Sequence, residues 1–224
     1  MHTLNPILER ASAVIFDMDG VLADTEPVYE QALGVVLARR NAAVSSTEYA
    51  ALVGLTNEAT WRWVVERFGL VESPEQLFAE SEPVLMRALS GGIVAAPGAI
   101  ELVRTLHSRG IPQALGSSAT RHAVETVLTG LGLADAFSAV VSGDDVRQGK
   151  PDPAIFLEAA RRLGVATSAT VVIEDSLPGL WAGRLAGMTT VGVRSRYTAN
   201  VELPADLIVE SLTELLHPRE VSPS

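Results

Sequence analysis

Residues 13–20 read Ala13-Val14-Ile15-Phe16-Asp17-Met18-Asp19-Gly20. Four apolar residues without alternation describe a strand covered on both faces, and such strands belong to parallel sheets. The acid–x–acid–glycine turn that ends the run puts two carboxylates at the strand's carboxyl end. Five further runs share this character: residues 112–115, 139–141, 170–173, 190–193 and 207–209. Helical patterns fill the intervals at 99–108, 121–131, 154–163 and 179–186. Gly110, Gly132, Gly164 and Gly187 follow them, where a helix C-terminus favours glycine. Strand–helix alternation of this kind predicts an α/β fold, a doubly wound, Rossmann-like parallel sheet.

One region breaks the rhythm. Residues 26–90 contain no convincing strand; helical patterns fill 28–40, 47–52, 58–68 and 74–89. Ser45-Ser46-Thr47-Glu48 and Ser73-Pro74-Glu75-Gln76 both read as capping boxes. The expected organisation is an α/β core formed by residues 1–24 and 92–224, with a mobile helical cap, residues 25–91, inserted after the first strand. Its hinges fall at 22–27 and 91–97. The tail, residues 217–224, is expected to fray.

Composition limits the partners. The 224 residues carry a net charge of −10 with no basic cluster, which argues against nucleic acid and against an anionic membrane. There is no cysteine, which excludes thiol catalysis and thiolate metal sites. The first twelve residues lack the apolar core of a signal peptide, and no apolar run approaches the roughly 20 residues that span a bilayer. The expectation is a cytoplasmic protein. Sixteen of the 17 basic residues are arginine; the exception is Lys150. A chain that writes nearly every cation as guanidinium and this one as an amine suggests a position that needs a compact point charge.

The polar residues that follow the strands share one logic. Asp17-Met18-Asp19-Gly20 follows the first, Gly116-Ser117-Ser118 the second, Lys150 the third, and Glu174-Asp175 the fourth. In a doubly wound sheet these carboxyl ends share one edge, where ligands bind. Clustered carboxylates call for a hard cation such as Mg²⁺. Lysine, serine hydroxyls and turn amides suit a tetrahedral anion. Together they describe phosphoryl transfer. Asp17, first after its strand, is placed to attack phosphorus. Asp19, two residues on, is placed for acid–base work. Each piece alone has a plainer explanation, as a capped turn or a helix N-terminal hydroxyl; four in this order do not.

The segments Asp17-Met18-Asp19-Gly20-Val21-Leu22-Ala23-Asp24-Thr25-Glu26-Pro27, Gly116-Ser117-Ser118, Gly149-Lys150-Pro151-Asp152-Pro153 and Val172-Ile173-Glu174-Asp175-Ser176-Leu177-Pro178-Gly179 resemble the four motifs of the haloacid dehalogenase superfamily. The helical insert resembles that of its small-cap subgroup, which includes β-phosphoglucomutase-like sugar phosphatases. The resemblance implies a Mg²⁺-dependent phosphatase acting on a small phosphorylated metabolite, a sugar phosphate by analogy, through an aspartyl phosphate. It implies Asp17 as nucleophile and metal ligand, and Asp19 as acid/base and ligand through its backbone carbonyl. Ser117, Ser118 and Lys150 would hold the phosphoryl group. Asp175 would bind the metal, with Glu174 beside it, direct or through water.

The resemblance also frames the alternatives. Phosphoglucomutases of the family grip a second phosphate with a cap lysine and arginine, and Val53 and Asn57 stand at those positions here. Thr120, beside Arg121, stands where a further lysine would be. Water should therefore win over phosphoryl return. A phosphonatase would need a cap lysine, which is absent. A non-catalytic phosphometabolite-binding protein is a remaining alternative. Candidate substrate contacts are Glu26, Gly54, Asn57 and Arg121. Trp61, Val64, Val65 and Phe68 form a packing stripe. Trp63 falls off it, toward the cleft or a partner chain. His107 and His122 are expected on the surface.

Overall fold

A computed structural model describes residues 4–216; the expected frayed tail lies outside the described residues. The opening apolar run forms β1 (Ala13–Phe16), with all four residues buried. The other runs become β2 (Gln113–Gly116), β3 (Ala139–Val141), β4 (Thr170–Glu174), β5 (Thr189–Val193) and β6 (Leu207–Val209). All pair in parallel, in the order β3-β2-β1-β4-β5-β6. The winding reverses at β1, whose neighbours are β2 on one side and β4 on the other. Phe16 pairs in register with both Leu115 and Ile173. Asp17, Gly116-Ser117 and Glu174 therefore leave the sheet side by side, at the switch point where doubly wound folds bind ligands.

Among the described residues ten α-helices accompany the strands. They are α1 (Pro6–Glu9), α2 (Glu26–Ala38), α3 (Ser46–Ala50), α4 (Asn57–Phe68), α5 (Pro74–Ser90), α6 (Ala99–Ser108), α7 (Arg121–Leu131), α8 (Ala154–Leu163), α9 (Leu177–Leu185) and α10 (Thr213–Leu216). Strand side chains alternate between two cores. Val14 and Phe16 join Leu102 and Leu106 of α6, Val127 of α7 and Leu215 of α10. Ile15 and Val172 join Phe156 of α8 and Ala182 of α9 on the other face. Gly132 and Gly164 end α7 and α8 in the left-handed conformation, at φ 65° and 70°. α9 starts two residues before its apolar periodicity: Ser176 caps it by accepting from the Gly179 N–H at 3.1 Å, and Pro178 fits the first turn.

Helices α2 to α5 follow one another with no strand among them. Both expected capping boxes are formed, at Ser45/Glu48 and Ser73/Gln76. The four share an apolar cluster built on Leu37, Trp61, Val64 and Leu77. Ala32, Leu85 and Leu89 reach past it into the main core. The connections to the sheet run alongside each other: Ala23 bridges Ala95 antiparallel, the Asp24 N–H donates to the Val94 carbonyl at 3.0 Å, and the Ala96 N–H to the Leu22 carbonyl at 2.9 Å. Trp63 does not border the cleft. It packs edge-on against Phe68, with ring centres 6.4 Å apart, in the insert's own cluster rather than toward the cleft. The α4 stripe is wide enough to take it in. His107 and His122 are exposed.

Candidate active site

The edge of the sheet gathers its polar residues around one buried amine. Lys150 Nζ lies 2.5 Å from Asp17 Oδ1 and 2.7 Å from Glu174 Oε1, with the ring centre of Phe156 5.0 Å away. All three ionic side chains are almost wholly withdrawn from water. Burial opposes the charge on Lys150. Asp17 and Glu174 outweigh that and hold the ammonium above its usual range. Glu174 is braced on its other oxygen, which accepts the Ser176 N–H at 2.6 Å.

Asp17 is pushed up to about 8, first by burial, with Lys150 opposing and Glu174 and Asp19 adding to the rise. Asp175 is raised well above its usual value, again first by burial and then by Glu174 and Asp17. Asp175 Oδ2 is buried without a hydrogen-bond partner. Carboxylate oxygens of Asp17, Glu174 and Asp175 lie within 4.8 Å of one another. An orphaned anionic oxygen in a cluster of three carboxylates is the arrangement a hard divalent cation satisfies, and an all-oxygen donor set suits it.

Asp19 faces the cluster from the turn. It accepts a short bond from the Thr25 hydroxyl and another from Ser117 Oγ at 3.3 Å. Burial raises it, while those two bonds and Lys150 oppose the rise. Gly20 takes φ 77°, and a Cβ there would stand 2.1 Å from Asp175 Oδ2. Only glycine allows that approach. The Gly20 N–H is spent on the Ala23 carbonyl at 2.8 Å, so that amide is not available to an anion as the sequence had suggested. Ser118 Oγ is buried and unpartnered at the rim.

A cavity of about 100 Å³ separates this edge from the insert. Asp17, Asp19, Ser118, Lys150 and Asp175 border it from the sheet; Glu26, Gly54 and Asn57 border it from the insert. Ser117 and Glu174 lie behind this lining and are fully buried. Arg121, an expected substrate contact, does not border the cavity. Its guanidinium is drawn to Asp145 and the Val140 carbonyl, off the cavity wall. Tyr29, Tyr49 and Thr25 were not anticipated. The Tyr49 hydroxyl donates to Glu26 Oε2 at 2.8 Å, and Tyr29 lines the cavity with a buried, unpartnered hydroxyl. The spacing held a signal: Glu26, Tyr29 and Leu33 share one face of α2.

A family model for haloacid dehalogenase-like hydrolases matches residues 11–187. The chain belongs to this family. As a haloacid dehalogenase-like hydrolase it is 34% identical, over 83% of its length and 98% of the relative's, to the fructose-1-phosphate phosphatase YqaB of Escherichia coli. It is 33% identical over 96% of its length to the bifunctional riboflavin kinase/FMN phosphatase of Arabidopsis thaliana, of which it spans 57%. Its fold matches that of a β-phosphoglucomutase from Clostridium difficile with a TM-score of 0.81 at 26% identity, covering 92% of this chain and 93% of the other. Among the described residues no helix is long and apolar enough to cross a membrane.

Proposed function

We propose that this hydrolase is a Mg²⁺-dependent phosphatase that cleaves a small phosphate monoester, a sugar or polyol phosphate, through an aspartyl phosphate on Asp17. The observation that carries the reading is the single amine held between Asp17 and Glu174 beside the orphaned oxygen of Asp175. Asp17 and Asp175, the Asp19 carbonyl and Glu174, direct or through water, would hold Mg²⁺. When bound, the ion neutralises the carboxylate cluster and the phosphoryl oxygens.

An Asp17 carboxylate oxygen attacks phosphorus, and the bond from phosphorus to the leaving oxygen breaks. Asp19 gives its proton to that oxygen; burial keeps the carboxyl able to carry one. Lys150 and Ser118 at the cavity, and Ser117 once its hydroxyl turns from Asp19, hold the phosphoryl oxygens. Asp19 then takes a proton from water, whose oxygen attacks phosphorus and releases Asp17 and phosphate. Purified protein should release phosphate from fructose 1-phosphate or 4-nitrophenyl phosphate with Mg²⁺, lose that activity in EDTA and regain it with Mg²⁺. No turnover of any ester in a broad panel would defeat the reading. A mutase is disfavoured because Val53 and Asn57, which border the cavity, offer no cation to hold a second phosphate.

The acid role gives a separable prediction. Asp19→Asn should lose about 10²-fold in kcat/KM on an alkyl phosphate, whose alkoxide needs a proton. The loss should be smaller by about tenfold or more on 4-nitrophenyl phosphate, whose leaving group departs unprotonated. Equal losses on both esters would assign Asp19 another task.

We infer that residues 25–91 act as a cap that closes on the site through the loop at 52–57. A Cβ on Gly54 would stand 2.5 Å from Ser176 Oγ, and one on Gly149 only 1.9 Å from Thr56 Cγ2. Gly149 belongs to the sheet side and Thr56 to the insert, so the second clash exists only while they are pressed together. Gly149→Ala should lower kcat/KM by about tenfold with little change in melting temperature. Adding Thr56→Ser removes the obstructing methyl and keeps the hydroxyl that caps α4 at the Ala59 N–H. The double variant should recover most of the activity. No loss in the single variant, or no recovery in the double, would count against closure through this contact.

A further inference from the structure

The floor of the cavity is fitted for one anion; its walls are not fitted for a second. Above the aspartates, apolar side chains of Leu33, Leu52, Val53, Leu55, Phe78 and Leu85 face the space. Lys150 is the one cation in the lining among the described residues, and Asp17 and Glu174 already occupy it. The one ionisable carboxyl on the wall, away from the catalytic cluster, is Glu26. It is 7% exposed and fixed by the Tyr49 hydroxyl at 2.8 Å. Arg147 borders a neighbouring cavity, but Glu58, Glu75 and Asp144 border that one too.

We propose that this cavity accepts the uncharged, partly apolar alcohol portion of a phosphate monoester and rejects a leaving group bearing a second anion, with Glu26 setting that selectivity. The inference rests on the phosphatase reading for its substrate and extends it to the leaving group. A carboxylate or second phosphate on the alcohol would be stripped of water against leucine and phenylalanine and would meet the Glu26 carboxylate, because Arg196, the cation that acts on Glu26, stands off the lining. An uncharged hydroxyl or amide loses little there. It can donate to Glu26 and accept from the unpartnered Tyr29 hydroxyl. Burial first, then Asp19 and Glu26, raise Tyr29, so its phenol stays protonated and able to donate.

The test compares two probes of the same shape. Binding of 3-phosphonopropionamide and of 3-phosphonopropionate to the Mg²⁺-loaded protein is measured by calorimetry at about pH 8. At that pH Glu26, pushed up to about 7 chiefly by burial, is mostly ionised. The amide should bind at least about 100-fold more tightly than the acid. Glu26→Gln keeps the shape and the Tyr49 contact, and should shrink that ratio by about tenfold or more. Asn57→Arg, which places a cation on the wall, should shrink it as well. Equal affinities, tighter binding of the acid, or no binding of either probe overturns the proposal. A ratio unchanged in Glu26→Gln overturns the role of Glu26. Turnover is read apart from binding, with glycolamide phosphate and phosphoglycolate. If the phosphonates discriminate and no ester in the broad panel is hydrolysed, the selectivity stands and the phosphatase reading fails.

Discussion

Asp17→Asn is expected to abolish phosphate release, with a loss on the order of 10⁴-fold or more, the scale seen when a covalent nucleophile is removed. The amide preserves the side-chain outline at the end of β1 and keeps the backbone bond from its N–H to the Ile173 carbonyl at 2.9 Å. Chemistry and folding should therefore separate. In the metal-free protein Asp17 is raised to about 8 from its usual 3.8, mainly by burial. A carboxyl raised on folding contributes stability that is fully present below its unfolded value and is lost as pH climbs through the folded one. Between about pH 4 and 8 the wild type should therefore lose a contribution that the variant's uncharged amide cannot lose. At pH 8 without metal the variant should melt no lower than wild type. Mg²⁺ should raise the melting temperature of wild type more than that of the variant, because one anionic ligand is gone. A phosphoenzyme trapped by rapid quench should appear in wild type and be missing in the variant. Substantial turnover by a pure, folded Asp17→Asn preparation would falsify the assignment of the nucleophile.

How far the sequence revealed this depends on what each element needed. α6, α7 and α8 run over the residues their apolar periodicity marked. For α7 and α8 the stop is a left-handed glycine, a local requirement written in one residue. α2 starts two residues before its apolar pattern, at Glu26, and the reason lies in tertiary structure. Thr25 is its N-cap residue but makes no capping bond, because its hydroxyl is turned to Asp19. The signal a sequence reader would use has been diverted to the site. α1 and α10 leave no mark in the sequence, because four-residue helices carry too little periodicity to register.

The site was legible in its charged skeleton and illegible in its walls. Four polar motifs at strand ends converge by topology alone, so Asp17, Ser117, Lys150 and Glu174-Asp175 could be placed without coordinates. Which side of the insert meets the sheet depends on how α2 and α5 pack. Tyr29 and Tyr49 entered the cavity through that packing, and Arg121 left it. Arg121 stands two residues past Ala119, close to the rim in sequence, yet Asp144 and Asp145 of the following loop hold its backbone and guanidinium elsewhere.

The lone lysine of the chain carries the second large expected effect. Were Lys150 a surface cation, arginine should replace it without cost, as it serves at sixteen other positions. Sequence reasoning alone would leave the stability of Lys150→Arg near native, but the buried amine changes that expectation. Its side chain is 2% exposed, wedged between Asp17 and Glu174 and backed by the Phe156 ring. A guanidinium there exceeds the space, and overpacking of this kind costs about 1–3 kcal/mol. The planar fork also spreads charge that the ammonium concentrates on one nitrogen. To fit, it must push aside Asp17, Glu174 or the phosphoryl oxygen between them. A misplacement of about 1 Å can cost on the order of 10²-fold, and loss of an oriented donor a further 10²-fold or more. We expect kcat/KM to fall by about 10²-fold if placement alone fails and about 10⁴-fold if the donor is lost as well, with a lower melting temperature. Lys150→Met separates the two causes. It fits the space and removes the charge, so it should lose activity to a similar degree, with Asp17 and Glu174 left facing each other. If Lys150→Arg kept wild-type kinetics, the amine would be an accident of composition, and the charge between Asp17 and the phosphoryl group would have to come from another residue.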